Sequence, residues 1–157
     1  MNPTTEFDHL MKYAFGILYP SGSKYNYFIA KPTDDCYQKA VKPDYVIPDK
    51  AWIDFKLGIS YKESHDVAWK PSALYASIRK YIDHVDNLTK KLTIVYGSLH
   101  GNIKDVQFPI TRGRKILIQN DVQFKNMIAL IPALEILQKL ENTQHKWIIN
   151  KIREIIR

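Results

Sequence analysis

The chain has little of what marks several protein classes. Its 157 residues hold one cysteine, Cys36, so no disulfide can form within the chain and no cysteine cage can hold zinc, and a reducing compartment is expected. No apolar run approaches the roughly 18–20 residues needed to span a bilayer, and the opening residues 1–6 lack the basic start and apolar core of an export signal. The expectation is a soluble, cytoplasmic protein with no membrane partner. Fixed-period repeats and low-complexity tracts are missing too, which excludes repeat arrays and collagen-like chains. His9, His84, His100 and His145 show no His-x3-His type of spacing, so a histidine-held zinc is not expected.

What is present is ordinary globular composition, 45% hydrophobic and 25% charged, enough for one sizeable core. A single domain over residues 1–157 is expected, with its core in about 5–140 and a basic amphipathic helix in about 144–157. The formal charge of +7 points to an anionic partner, with nucleic acid first. The excess is not uniform. Residues 1–40 balance four basic against four acidic side chains, 41–100 carry nine against seven, and 101–157 carry ten against five.

Phe7, Leu10, Met11, Ala14, Phe15 and Leu18 recur at helical spacing, with Thr4 or Thr5 as N-cap and Gly16 to Pro20 as the end. Residues 20–43 read as a loop, a short strand around Tyr25–Ile29 and another loop. Asp44–Ile47 and Ala51–Leu57 are β-rich and flank the turn Pro48-Asp49-Lys50, which predicts a hairpin. A helix follows over Pro71–Val85, after a solvated loop at Ser60–Trp69. Leu92–Tyr96 reads as a buried strand ending at Gly97, and Val106–Phe108 and Ile116–Ile118 as short strands around the basic turn Arg112–Lys115. Met127–Ile131 is a strand feeding a helix that starts at Pro132. In the tail, Trp147, Ile148, Ile152, Ile155 and Ile156 are expected on one face. This order suggests an α/β fold with a mixed central sheet flanked by helices.

Side chains alternate across a strand, so Trp52, Asp54 and Lys56 share one face while Ile53, Phe55 and Leu57 take the other. Pairing across the short turn brings Asp44 toward Asp54 and Lys56. Two carboxylates this close repel each other unless a cation sits between them. An all-oxygen donor set suits a hard ion, Mg2+, with Mn2+ as substitute. Lys56 is read as orienting water and stabilising charge on a phosphate rather than as a general base. Together the groups supply what hydrolysis of a phosphodiester needs. The plainer reading of Asp44, Asp54 and Lys56 is a surface hairpin with a cross-strand ion pair worth a few tenths of a kcal/mol. Against it, charges within the apolar run Trp52–Leu57 would be costly unless they served a functional site.

Pro43-Asp44, nine intervening residues, then Asp54-Phe55-Lys56 at the end of an apolar strand resembles the PD-(D/E)xK nuclease motif. The resemblance implies a restriction-endonuclease-like αβββαβ core over roughly residues 5–140. It implies metal held by Asp44, Asp54 and the main-chain carbonyl of Phe55, with Lys56 helping to activate water. A glutamate on the first helix often joins the cluster in this family, which points to Glu6, with Asp8 as substitute. Lys91–Asn102 is similar to cleavage domains of type IIS restriction enzymes. Ser77, four residues before Tyr81, stands where an exonuclease subgroup has glutamine, so that subgroup fits less well.

Lys62, Lys70, Arg79, Arg112, Arg114 and Lys115 are candidate contacts to the DNA backbone, although charged turns commonly serve solubility alone. Glu63, His65 and Asp66 are read as structural. Tyr81 and Tyr96 are read as core residues. Three roles are open to the C-terminal helix: insertion into a DNA groove, dimerisation, or packing on its own sheet. The expected function is Mg2+-dependent hydrolysis of double-stranded DNA by a site-specific restriction-type endonuclease, acting as a homodimer or with a partner subunit. A homing endonuclease, a Holliday-junction resolvase or a repair nuclease are the alternatives within the enzyme class. A basic DNA-binding or interaction protein is the alternative outside it.

Overall fold

The computed structural model describes residues 1–24, 43–48, 50–60, 91–100, 110–112, 115–117 and 128–156. Helix α1 spans Pro3–Leu18 and buries Phe7, Met11, Ala14 and Phe15, four of the six residues in the predicted stripe. Its N-cap is Asn2 rather than Thr4 or Thr5: the Asn2 Oδ1 accepts the Thr5 N–H at 2.8 Å, and Pro3 fills the first turn, where its missing N–H costs nothing. Gly16 lies inside the helix, which closes with the Tyr19 N–H on the Phe15 carbonyl at 2.7 Å.

After α1 come strands β1 (Ser23–Lys24), β2 (Tyr45–Ile47), β3 (Ala51–Ser60), β4 (Lys91–His100), β5 (Ile110–Arg112), β6 (Lys115–Leu117) and β7 (Ile128–Pro132). Five of them form a mixed sheet in the order β1-β2-β3-β4-β7, antiparallel from β1 to β3 and parallel from β3 to β7. Strands β2 and β3 make the expected hairpin, with Tyr45 opposite Ile53, Val46 opposite Trp52 and Ile47 opposite Ala51. β3 therefore lies inside the sheet, with a strand on either side. It runs to Ser60 and β4 to His100, three residues beyond the expected ends at Leu57 and Gly97, because their parallel ladder continues through Gly58 opposite Ser98. Ser60 thus belongs to a strand and not to a loop.

Strands β5 and β6 form a separate two-stranded sheet, with Arg112 opposite Lys115 at its closed end. Arg112 and Lys115, the two ends of the expected basic turn, are paired, and the strand before them is Ile110–Arg112. The expected strands at Tyr25–Ile29 and Val106–Phe108, the expected helix at Pro71–Val85, and Cys36 lie outside the described residues.

β7 passes directly into helix α2 (Ala133–Leu137), as Pro132 implies, followed by a 3-10 turn at Gln138–Leu140 and helix α3 (Lys146–Ile156). The three helices share one core with one face of the sheet, where Phe7, Met11 and Phe15 meet Ile53, Phe55 and Val95 and the α3 residues Ile148, Ile149 and Ile152. Packing on its own domain is thus what α3 does. Trp147 departs from expectation: it is 46% exposed and stands beside Tyr13 with ring centroids 5.9 Å apart. Consecutive helical residues are about 100° apart, so Ile148, Ile149 and Ile152 take the inward stripe and Trp147 falls about 150° from its centre, on the outer side. On the opposite face of the sheet Trp52, Asp54, Leu92 and Ile94 are also buried, so β3 is covered on both sides.

Candidate active site

Tyr45 and Phe15 anchor the start of β2. The Phe15 ring packs edge-on against Tyr45 at 5.6 Å and Phe55 at 4.9 Å, and the Tyr45 hydroxyl donates to the Tyr19 carbonyl at 2.6 Å. One step beyond the last paired residue, the β2–β3 register places Asp44 opposite Asp54. The Asp44 carboxylate turns to accept the backbone N–H of Phe55 at 2.8 Å, and its carboxyl group comes close enough to hydrogen-bond that of Asp54. Lys56, two residues along the same face of β3, holds its Nζ 3.5 Å from Asp54 Oδ2. Asp44, Asp54, the Phe55 backbone and Lys56 therefore meet at one place.

The carboxyl pair is electrostatically strained. Burial, the neighbouring Asp54 charge and the hydrogen bond between the two carboxyls push the Asp44 pKa up to about 6, against the opposing pull of the Phe55 N–H and of Lys12. Asp54 is only 4% exposed, whereas the side chain of Lys56 is 39% exposed. An isolated ion pair on a surface hairpin would not bury its acid this deeply, and a charge so placed needs partners. Two adjacent carboxyls of hard oxygen donors, one of them reluctant to ionise without a cation, fit a divalent ion such as Mg2+ or Mn2+. Among the described residues no third Asp, Glu, His or Cys completes a metal-binding group with them.

The helix-one carboxylates occupy different sides of α1. Glu6 is partly exposed and lies two residues, about 200° of helix rotation, from Asp8. Asp8 instead makes an ion pair with Lys12, Nζ to Oδ2 2.8 Å, with only 16% of the lysine side chain exposed. Lys12 is near enough to Asp44 to oppose the rise of its pKa. Sequence reasoning passed over Lys12, although the signal was there: an acid and a base at i, i+4 on the flank of an amphipathic helix's buried stripe.

Of the candidate DNA contacts, Arg112 and Lys115 are placed by their backbones as the closing pair of the β5–β6 hairpin. Lys62, Lys70, Arg79 and Arg114 lie outside the described residues, as do Glu63, His65, Asp66 and Tyr81. Tyr96 is partly exposed and paired with Lys56 across the parallel β3–β4 ladder, so it faces the side of the sheet that carries Asp54 and not the shared helix core. Burial and the nearby Glu135 carboxylate raise its phenol pKa.

No protein-family model matches the chain, and comparisons with curated proteins and with solved structures return no match. What the fold defines directly is an α/β protein with a five-stranded mixed sheet and three helices among the described residues, none of the helices long and apolar enough to cross a membrane.

Proposed function

We propose that this protein is a divalent-cation-dependent nuclease that hydrolyses phosphodiester bonds in double-stranded DNA. The observation that carries the reading is the convergence of Asp44, Asp54 and Lys56, with Asp54 buried inside the sheet and the Asp44 pKa raised by the company of its neighbour. Asp44 and Asp54 would hold Mg2+ or Mn2+, joined by the Phe55 carbonyl if the PD-(D/E)xK resemblance extends to the main chain. When bound, the ion would supply Lewis-acid activation of water and neutralise charge building on the phosphate.

The chain's own groups divide the remaining work. The Phe55 N–H holds one oxygen of Asp44, which fixes the direction of the carboxylate without a counter-charge. Lys56 has a partly exposed side chain tethered at Asp54, so its ammonium can donate to a phosphate oxygen or to the attacking water while its stem stays in place. The charge of +7 favours a polyanionic substrate. A site-specific, restriction-type endonuclease working as a homodimer or with a partner subunit is the form we favour, since symmetric duplex sites suit paired catalytic centres.

Supercoiled plasmid, linear duplex and a four-way junction, each incubated with the purified protein in Mg2+ or in chelator, test the reading. Discrete fragments from duplex that require Mg2+, lost in both Asp54→Asn and Lys56→Ala, are expected. Preferred cutting of the junction would favour a resolvase, and lesion-dependent cutting a repair enzyme. DNA held intact in both Mg2+ and chelator would leave a binding protein, and cutting that persists in both variants would remove these residues from the chemistry.

A further inference from the structure

The β3–β4 ladder sets Tyr96 directly beside Lys56 on neighbouring parallel strands, which lie about 4.8 Å apart, and both side chains stand on the face that carries Asp54. We propose that the Tyr96 hydroxyl is a second group that holds the scissile phosphate, donating a hydrogen bond to one non-bridging oxygen while the Lys56 ammonium takes the other. This rests on reading Asp44, Asp54 and Lys56 as a centre that cleaves phosphodiesters. Lysine and tyrosine have similar reach, so two such side chains rising from adjacent strands can converge on one phosphate.

Burial along this face ends at the Lys56–Tyr96 pair. One step before it, Asp54 and its ladder partner Ile94 are buried. Lys56 and Tyr96 are partly exposed, and one step beyond them Gly58 is exposed opposite Ser98. Gly58 puts no side chain on the face, and the Ser98 hydroxyl donates to the Leu57 carbonyl at 3.4 Å. Among the described residues a Cβ at Gly58 would touch only Ser98 Oγ, at 3.3 Å, so packing does not demand glycine there. Glycine inside a strand weakens it and commonly marks the close approach of a ligand. The pair is thus the rim of the buried acid cluster, toward the carboxyl ends of the parallel strands β3, β4 and β7, where open α/β sheets bind their ligands.

Two other tyrosine hydroxyls serve the fold: that of Tyr45 donates to the Tyr19 carbonyl, and that of Tyr19 accepts from Lys139 Nζ at 3.2 Å. Among the described residues the Tyr96 hydroxyl has no such partner. A neutral phenol offers a donor without adding charge beside the carboxyl pair. In the hydrolysis the hydroxyl of water ends on phosphorus, the bond to one ester oxygen breaks, and the water's other proton ends on that leaving oxygen. Tyr96 keeps its own proton throughout, and its hydrogen bond strengthens as negative charge grows on the phosphate oxygens.

Steady-state cleavage in Mg2+ of a duplex with a mapped cut site, carrying oxygen or a stereodefined phosphorothioate at the scissile position, tests the role. Tyr96→Phe keeps the ring, so its thermal midpoint is expected to match the unmodified protein while kcat falls roughly a hundredfold. KM is expected to change by less than about threefold, because the bond matters most in the transition state. Sulfur accepts hydrogen bonds poorly, so in Tyr96→Phe the rate penalty for sulfur should shrink by roughly tenfold for one diastereomer and stay as it was for the other. A kcat within about twofold of the unmodified value overturns the inference. So does a slower variant whose sulfur penalties are both unchanged, since its hydroxyl would not touch the phosphate. A Tyr96→Phe protein that fails to fold would assign the hydroxyl to the fold and overturn it as well. If the unmodified protein cuts no duplex in Mg2+, the nuclease reading fails first and this inference with it; if it cuts and the variant cuts equally, the inference fails alone.

Discussion

Asp44 stands one residue ahead of β2, yet its carboxylate reaches across the strand pair to the Phe55 N–H and abuts a second carboxyl. Its raised pKa has a consequence for the cation-free protein. A carboxyl whose pKa is near 6 folded and near 3.8 unfolded binds its proton more tightly in the native state, so stability is greatest below about pH 4 and declines as pH rises to about 6. The decline is expected to be on the order of 3 kcal/mol. Asp44→Asn keeps an acceptor for the Phe55 N–H and removes the titration. In chelator, urea midpoints from pH 4 to 8 should therefore fall for the natural chain and stay flatter for the variant, leaving Asp44→Asn the more stable above pH 6. Parallel curves for the two proteins would contradict the coupling of Asp44 to Asp54. Greater stability joined to lost cleavage is the behaviour expected of a residue kept for chemistry and not for the fold.

At the scale of elements, what places the carboxyl pair is the seating of α1 on the β2–β3 hairpin through Phe15, Tyr45 and Phe55. Phe15 is 1% exposed, and Phe15→Ala is expected to cost about 3–5 kcal/mol in denaturant unfolding. Two glycines should respond in opposite ways. A Cβ at Gly97 would lie 2.5 Å from the Leu57 carbonyl oxygen and 3.3 Å from its Cδ1, so Gly97→Ala must push β3 and β4 apart and should destabilise by about 1–3 kcal/mol. Gly16, inside α1, has nothing within 4 Å of such a Cβ, and Gly16→Ala should stabilise by about 0.5–1 kcal/mol. Thermal midpoints moving in opposite directions would check both; equal shifts would contradict the close approach of the strands.

For the whole molecule, the charge of +7 and its concentration in residues 101–157 make salt the variable to follow. If the substrate is a nucleic acid, the logarithm of its affinity should fall linearly with the logarithm of salt, losing roughly one unit of slope for each phosphate contact removed. Replacing Arg112 and Lys115 together, at the closed end of the β5–β6 hairpin, is expected to lower that slope by about two. Duplex binding in chelator between 50 and 300 mM salt would show it, and an unchanged slope would take this hairpin out of the interface. Because α3 packs Ile148, Ile149 and Ile152 into its own core, a second copy of the chain would have to meet some other surface.

Local chemistry in the sequence was enough to define the β2–β3 hairpin, the two faces of β3, the entry of β7 into a helix at Pro132 and the buried stripe of α1. Period-two and period-3.6 patterns, turn residues and proline act over a few neighbours, and those neighbours are adjacent in the chain. The register that sets Asp44 against Asp54 follows from the short turn for the same reason. Tertiary structure decided the rest. Leu57 and Gly97 looked like strand ends, but the β3–β4 pairing runs on past them because Gly97 lets the two backbones come close. The seating of Phe15 against Tyr45 and Phe55 was decided by the docking of α1 on β2 and β3. Those outcomes depend on contacts between segments tens of residues apart, whose geometry no local pattern carries.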